Sequence, residues 1–145
     1  LEPLLKNGDP ERGRAAYTMG KGACITCHKV GDEGRAVGPD LSTIGRIRSG
    51  RDLLESILYP SESLARDFET WNVTLKSGIA HVGLIQRETR DTVYVTNPAA
   101  EEIPVPRGDI KSIDSIPMSL MPQGLEQAMT QQELLDIIAF LKAQQ

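Results

Sequence analysis

Five consecutive residues, Cys24-Ile25-Thr26-Cys27-His28, constrain this chain more than any other stretch. They read C-x-x-C-H, the attachment signal for a c-type haem. The two thiols can add across the vinyl groups of a porphyrin, and the adjacent imidazole can bind iron. Both cysteines of the chain lie in the motif, so none is left for a disulfide elsewhere. Two other readings compete. A closed structural zinc site takes four protein ligands, often from two knuckles. Here the second knuckle is missing, and the other histidine, His81, falls far along the chain in a strand-like segment. A thioredoxin-type C-x-x-C follows a strand in a βαβ unit, and the residues before Cys24 do not read as a strand. A chance C-x-x-C-H is the last alternative, so the motif needs support from elsewhere in the sequence.

Support comes from the methionines. Haem iron in electron carriers is commonly held by His and Met. Met19 is too close to Cys24 to reach the opposite face of a bound ring, and Met129 sits at the start of a predicted helix as a core candidate. Met118 and Met121 lie in Ile116-Pro117-Met118-Ser119-Leu120-Met121-Pro122-Gln123-Gly124, whose prolines and glycine predict an irregular loop. Such a loop can lay a thioether over a metal. Met121 is preferred as iron ligand because Pro122 restrains the backbone beside it, with Met118 second and gap-filling in a core as the plainer role. A third element is Gly38-Pro39-Asp40-Leu41. An iron-bound histidine usually donates its second ring N–H to an acceptor. A Gly-Pro loop is a good source of such a carbonyl, and Leu41 can press on the ring face. Taken alone, the segment would be an ordinary turn.

In this order, Cys24 to His28, Gly38 to Leu41 and Ser119-Leu120-Met121-Pro122 before a last helix, the chain resembles class I cytochrome c. Gly13 and Tyr17 look like the small and aromatic residues of that family's first helix, and Phe140 like the aromatic of its last. The resemblance implies that these two helices cross at that contact. More narrowly, the chain is similar to the C-terminal haem-binding C-x-x-C-H domain of large planctomycete and verrucomicrobial proteins. What the resemblance implies is a mainly α fold, a cytochrome c-like helical haem domain, with a small antiparallel sheet inserted before the methionine loop. It also implies one covalent haem c and an extracytoplasmic, periplasmic-type location. The implied role is that of a fused electron acceptor for a dehydrogenase-like partner domain.

The chain is expected to form one domain in three parts. Residues 1–66 read as helix, haem loop, helix. Asp9 caps the first helix with Pro10 at its first position, and the helix is expected to run to about Met19. Ser49-Gly50-Arg51-Asp52 resembles a capping box ahead of Leu53, Leu54, Ile57 and Leu58 at helical spacing, and Pro60 ends that helix. Residues 67–116 change character. Trp71, Val73 and Leu75 alternate with polar residues, Lys76-Ser77-Gly78 makes a turn, and strands are predicted over 79–87, 91–96, 102–105 and 110–113. Pro104 and Pro106 place the fourth of those at a sheet edge. Residues 117–145 carry the methionine loop and a last helix, opened by the capping box Thr130-Gln131-Gln132-Glu133.

Composition bounds the function. Sixteen basic and twenty acidic residues give a net charge of −4, which argues against nucleic acid as partner. No apolar run is long enough to span a membrane, and no signal peptide is visible. With Leu1 in first position, an excised mature fragment is the expectation. Aromatics make up only 4% of residues, so a haem would supply much of the flat apolar surface and the haem-free protein is expected to be poorly ordered.

With His28 and Met121 filling both axial positions, no substrate binds iron. The expected activity is one-electron transfer with a redox protein or fused dehydrogenase domain, and the domain is not itself a complete enzyme. Without Met121 on iron, a gas sensor or peroxidase becomes the alternative. A partner-binding module with a structural haem is the other. Trp71 can either reach a haem propionate with its N–H or fill the sheet core. Arg46 and Arg48 can pair a propionate but are expected as solvated surface residues, and His81 as a residue of the sheet surface.

Overall fold

The computed structural model describes all 145 residues. The chain divides into two compact units, Leu1–Glu62 together with Pro122–Gln145, and Ser63–Met121. The second takes in the expected 67–116 segment and the methionine loop as far as Met121, while Pro122-Gln123-Gly124 fall in the first.

The first unit is helical. After a 3-10 turn over Glu2–Asn7, α1 spans Pro10–Thr18 and α2 is the single turn Cys24–Cys27. α3 is Ile44–Ile47, α4 is Gly50–Leu58 and α5 is Gln131–Lys142. Capping chemistry sets the starts. The Asp9 carboxylate accepts the Arg12 N–H at 2.9 Å with Pro10 in the first turn. Ser49 with Asp52, and Thr130 with Glu133, form reciprocal capping boxes. α5 is the centre of the unit: Leu134, Leu135, Ile137, Ile138, Phe140 and Leu141 are all buried. Each such side chain contributes about 1.5–3 kcal/mol by leaving water.

α1 crosses α5 at Gly13, where any Cβ would overlap the backbone carbonyl of Asp136. Tyr17, fully buried, packs on Phe140 with ring centroids 5.5 Å apart. Both residues and Gly13 therefore meet at the crossing that the resemblance implies. Beside it, Asp136 is a buried acid, 3% exposed. It accepts the Asp9 N–H at 2.8 Å, Arg12 Nε–H at 2.8 Å, Arg12 Nη2–H at 2.9 Å and Gln132 Nε2–H at 2.8 Å. The hydrogen bonds from Arg12 are the largest cause holding this carboxyl below the usual range.

The second unit is one five-stranded antiparallel sheet in the order β6-β5-β4-β3-β7, with β3 Thr70–Leu75, β4 Ala80–Glu88, β5 Thr92–Thr96, β6 Glu102–Pro106 and β7 Ile110–Ile116. β1 (Lys29–Val30) and β2 (Glu33–Gly34) form a separate two-stranded ribbon in the first unit. Val73, Val93, Val95 and Val105 make the sheet core, with Leu75, Ile85, Ile103 and Ile110 against it. β6 lies at an edge, as its prolines require.

Three expectations need correction. The chain is not mainly α, because the sheet is larger than predicted: pairing with β3 carries β7 on to Ile116, with Thr70 opposite Ile116. The helical turn over Glu2–Asn7 and the β1–β2 ribbon were not predicted, both being too short for periodicity to register. His81 stands opposite Val73, so it shares the core face of β3 and is half-buried.

Asp136→Asn should cost about 1–3 kcal/mol in urea unfolding at neutral pH, since four hydrogen bonds lose their ionised acceptor. The folded carboxyl titrates below its unfolded value of 3.8. Its stabilisation is therefore present above that pH and disappears as pH falls through the folded pKa. The gap between wild type and variant should shrink in the acid limb.

Candidate functional site

The C-x-x-C-H motif sits on one tight turn. Ala23 takes the left-handed conformation, φ 56°, and α2 follows at once. Cys24 and Cys27, three apart on a helical turn, therefore face the same side. His28 N–H donates to the Cys24 carbonyl at 2.8 Å, and its own backbone is extended, which ends the turn.

The β1–β2 ribbon then reverses the chain and brings residues 35–41 alongside the motif. Val37 and Gly38 N–H groups both donate to the Cys27 carbonyl, at 2.9 and 2.7 Å, and Leu41 N–H donates to the Lys29 carbonyl at 2.8 Å. This places the Pro39 carbonyl 2.8 Å from His28 Nδ1. A carbonyl only accepts, so Nδ1 carries the proton and Nε2 keeps its lone pair. Burial pushes the imidazole pKa down, so the ring is held neutral, and the bond to Pro39 opposes this in part.

Two glycines make the geometry possible. A Cβ on Gly38 would lie 2.7 Å from His28 Cε1 and 3.0 Å from Nδ1, so only a residue without a side chain lets the ring lie against this strand of loop. Gly34, at φ +98°, passes so near the His28 carbonyl that a Cβ would overlap it. That carbonyl accepts the Tyr17 hydroxyl at 2.6 Å. Burial is the main cause that pushes the Tyr17 phenol up to about 12, so it stays a donor throughout the physiological range. The sequence marked Tyr17 for the helix crossing. Its hold on His28 was missed, because no local pattern links a residue of α1 to a backbone carbonyl eleven positions further on.

Both thiols are free, and burial raises the pKa of each. They are protonated at neutral pH. No three His, Cys, Asp or Glu side chains converge as a metal-ligand cluster, so the motif does not build the closed set of a structural zinc site. Two thiols on one face beside an oriented neutral imidazole fit a porphyrin.

Cys24, Cys27, His28, Pro39 and the half-buried Leu41 thus belong together in the first unit. Met118, Met121 and Trp71 belong to the second. Met118 is 56% exposed, whereas Met121 is half-buried and donates its N–H to Ser119 Oγ at 3.1 Å. Trp71 is half-buried in β3, opposite Gly83 and Ser115. Arg46 and Arg48 are exposed. Met129, read from the sequence as a core candidate, lays its Cε against Gly22, two residues before Cys24.

Residues 10–72 match the family model for Cytochrome c. The match covers less than half the chain and takes in the Asp9-capped helix, the C-x-x-C-H turn, Pro39, Leu41 and Trp71, but not Met118, Met121 or Met129. It supports a cytochrome c family, and cytochrome c implies electron transfer by covalently bound haem c. Curated proteins compared with the chain give no match. No helix is long and apolar enough to cross a membrane.

Tyr17→Phe removes one hydrogen bond to the part-buried carbonyl of His28 in the C-x-x-C-H motif. It should lower stability by about 0.5–1.5 kcal/mol, read from denaturant midpoints with an unchanged m-value.

Proposed function

We propose that this chain is a c-type cytochrome that carries single electrons. Cys24 and Cys27 would hold one haem c through two thioethers, and His28 Nε2 and the Met121 thioether would be its iron ligands. The observation that supports this best is the 2.8 Å contact between His28 Nδ1 and the Pro39 carbonyl, which leaves Nε2 as the free, correctly tautomerised donor.

When bound, the haem supplies a one-electron couple at its iron. The protein's part is to set ligation and access. The Pro39 carbonyl fixes the plane of the imidazole and raises the basicity of Nε2. The soft thioether of Met121 would favour the reduced state and raise the potential. Leu41 would press on the ring face, and the Trp71 N–H would be a donor for a propionate if it is not spent in the sheet core. With His28 and Met121 as iron ligands, the chain would need no nucleophile, general base or substrate pocket. It relays electrons rather than completing a reaction of its own. The donor is a redox protein or a fused dehydrogenase-like domain, as in the C-terminal C-x-x-C-H domains that the motif order resembles. Maturation takes place outside the cytoplasm, where thioether attachment normally occurs.

Protein expressed with haem-maturation machinery should be coloured and heavier than its polypeptide by one haem. A colourless product of bare polypeptide mass defeats the proposal. Met121→Ala should abolish the far-red Met–iron charge-transfer band of the ferric form while Met118→Ala keeps it. The reverse pattern moves the ligand to Met118. Haem-free protein should show weak near-UV dichroism and broad melting, given the scarcity of aromatic side chains.

A further inference from the structure

Three hydrogen bonds hold His28, and they come from three parts of the first unit. Its N–H donates to the Cys24 carbonyl at 2.8 Å, within the motif. Its Nδ1–H donates to the Pro39 carbonyl at 2.8 Å, in the loop that follows. Its own carbonyl accepts the Tyr17 hydroxyl at 2.6 Å, from α1. The tyrosine is fully buried and backed by Phe140, with 5.5 Å between ring centroids, so it has little freedom to swing away. Gly34 packs directly on this bond: a Cβ there would overlap the His28 carbonyl and lie 2.9 Å from the Tyr17 hydroxyl oxygen. A backbone that close leaves little room for a water to replace the phenol. Without the hydroxyl, the carbonyl finds a new donor only if the residue turns.

We infer that Tyr17 is a positioning residue for the iron ligand: acting through the His28 carbonyl, its hydroxyl sets the angle at which the imidazole meets iron. This rests on the reading of His28 as an iron ligand. Two main-chain anchors, the N–H on Cys24 and the carbonyl on Tyr17, together fix the direction of the His28 Cα–Cβ bond. One anchor alone lets the residue rock about it, and the ring moves with Cβ. Pro39 fixes the tautomer and the ring plane from the other end. A ligand keeps its angle when the groups behind it are themselves locked by packing. Here the lock is the α1–α5 crossing, where Gly13 lies on the Asp136 backbone and Tyr17 on Phe140. An electron carrier gains from this, since a ligand that reorients with valence adds to the cost of every transfer.

Matured wild type, Tyr17→Phe and Phe140→Leu separate this role from plain packing, because Phe140→Leu loosens the crossing and keeps the hydroxyl. Ferric wild type should give one low-spin electron paramagnetic resonance signal. Tyr17→Phe should shift its g values or split it in two. In the ferrous, diamagnetic protein the same variant should exchange its His28 Nδ1–H with solvent roughly tenfold faster, read by NMR. Phe140→Leu should lower the urea midpoint at least as far as Tyr17→Phe, yet keep the wild-type signal and most of the protection at Nδ1. A Tyr17→Phe protein with the wild-type signal and exchange rate overturns the inference. Equal changes in both variants overturn it too, since they make Tyr17 a packing residue only. Wild type that carries no haem defeats the electron-transfer proposal instead, before the variants are compared.

Discussion

Gly13 lets α1 lie directly on the backbone of α5, and the first unit is built outward from that contact. The crossing seats Tyr17 on Phe140, and the buried phenol then reaches the carbonyl of His28. It also buries Asp136, whose four hydrogen bonds tie the N-cap of α1, Arg12 and Gln132 into one network. A larger residue at position 13 would separate the helices and move the tyrosine that steadies the histidine. The packing of two helices distant in sequence therefore governs a ring orientation in the loop between them.

Burial and hydrogen bonding act together at the motif. Desolvation holds the imidazole neutral and both thiols protonated. The Pro39 carbonyl decides which ring nitrogen carries the proton. A half-exposed histidine with no fixed partner would share its proton between both nitrogens and flip freely. Here the tautomer is set by a backbone atom that no side-chain substitution at position 39 removes, and the approach of that loop depends on the missing side chain of Gly38.

Local signals read well where the physics is local. The starts of α1, α4 and α5 follow from Asp9, Ser49 and Thr130, because a cap is satisfied within three residues of itself. Alternation at Trp71, Val73 and Leu75 marked β3, and the prolines of β6 marked an edge. The extent of the sheet was not legible. Ile110–Ile116 alternates weakly, with isoleucines on both faces, and its length is decided by pairing with β3 along its whole run. The 3-10 turn at Glu2–Asn7 and the β1–β2 ribbon were equally silent, since two to six residues carry no period.

By itself, the amino-acid sequence determined the chemistry: two thiols and an imidazole in C-x-x-C-H, a Gly-Pro carbonyl nearby, and a methionine loop ahead of a last helix. These are matters of residue type and spacing, which survive in one dimension. The tertiary structure decided which atoms meet. That Pro39, not a neighbour, accepts from His28, that Tyr17 holds the histidine backbone, and that Gly38 clears room for the ring all depend on loop closure against the α1–α5 crossing. Such contacts join residues distant along the chain, and only the balance of packing across the whole unit selects them.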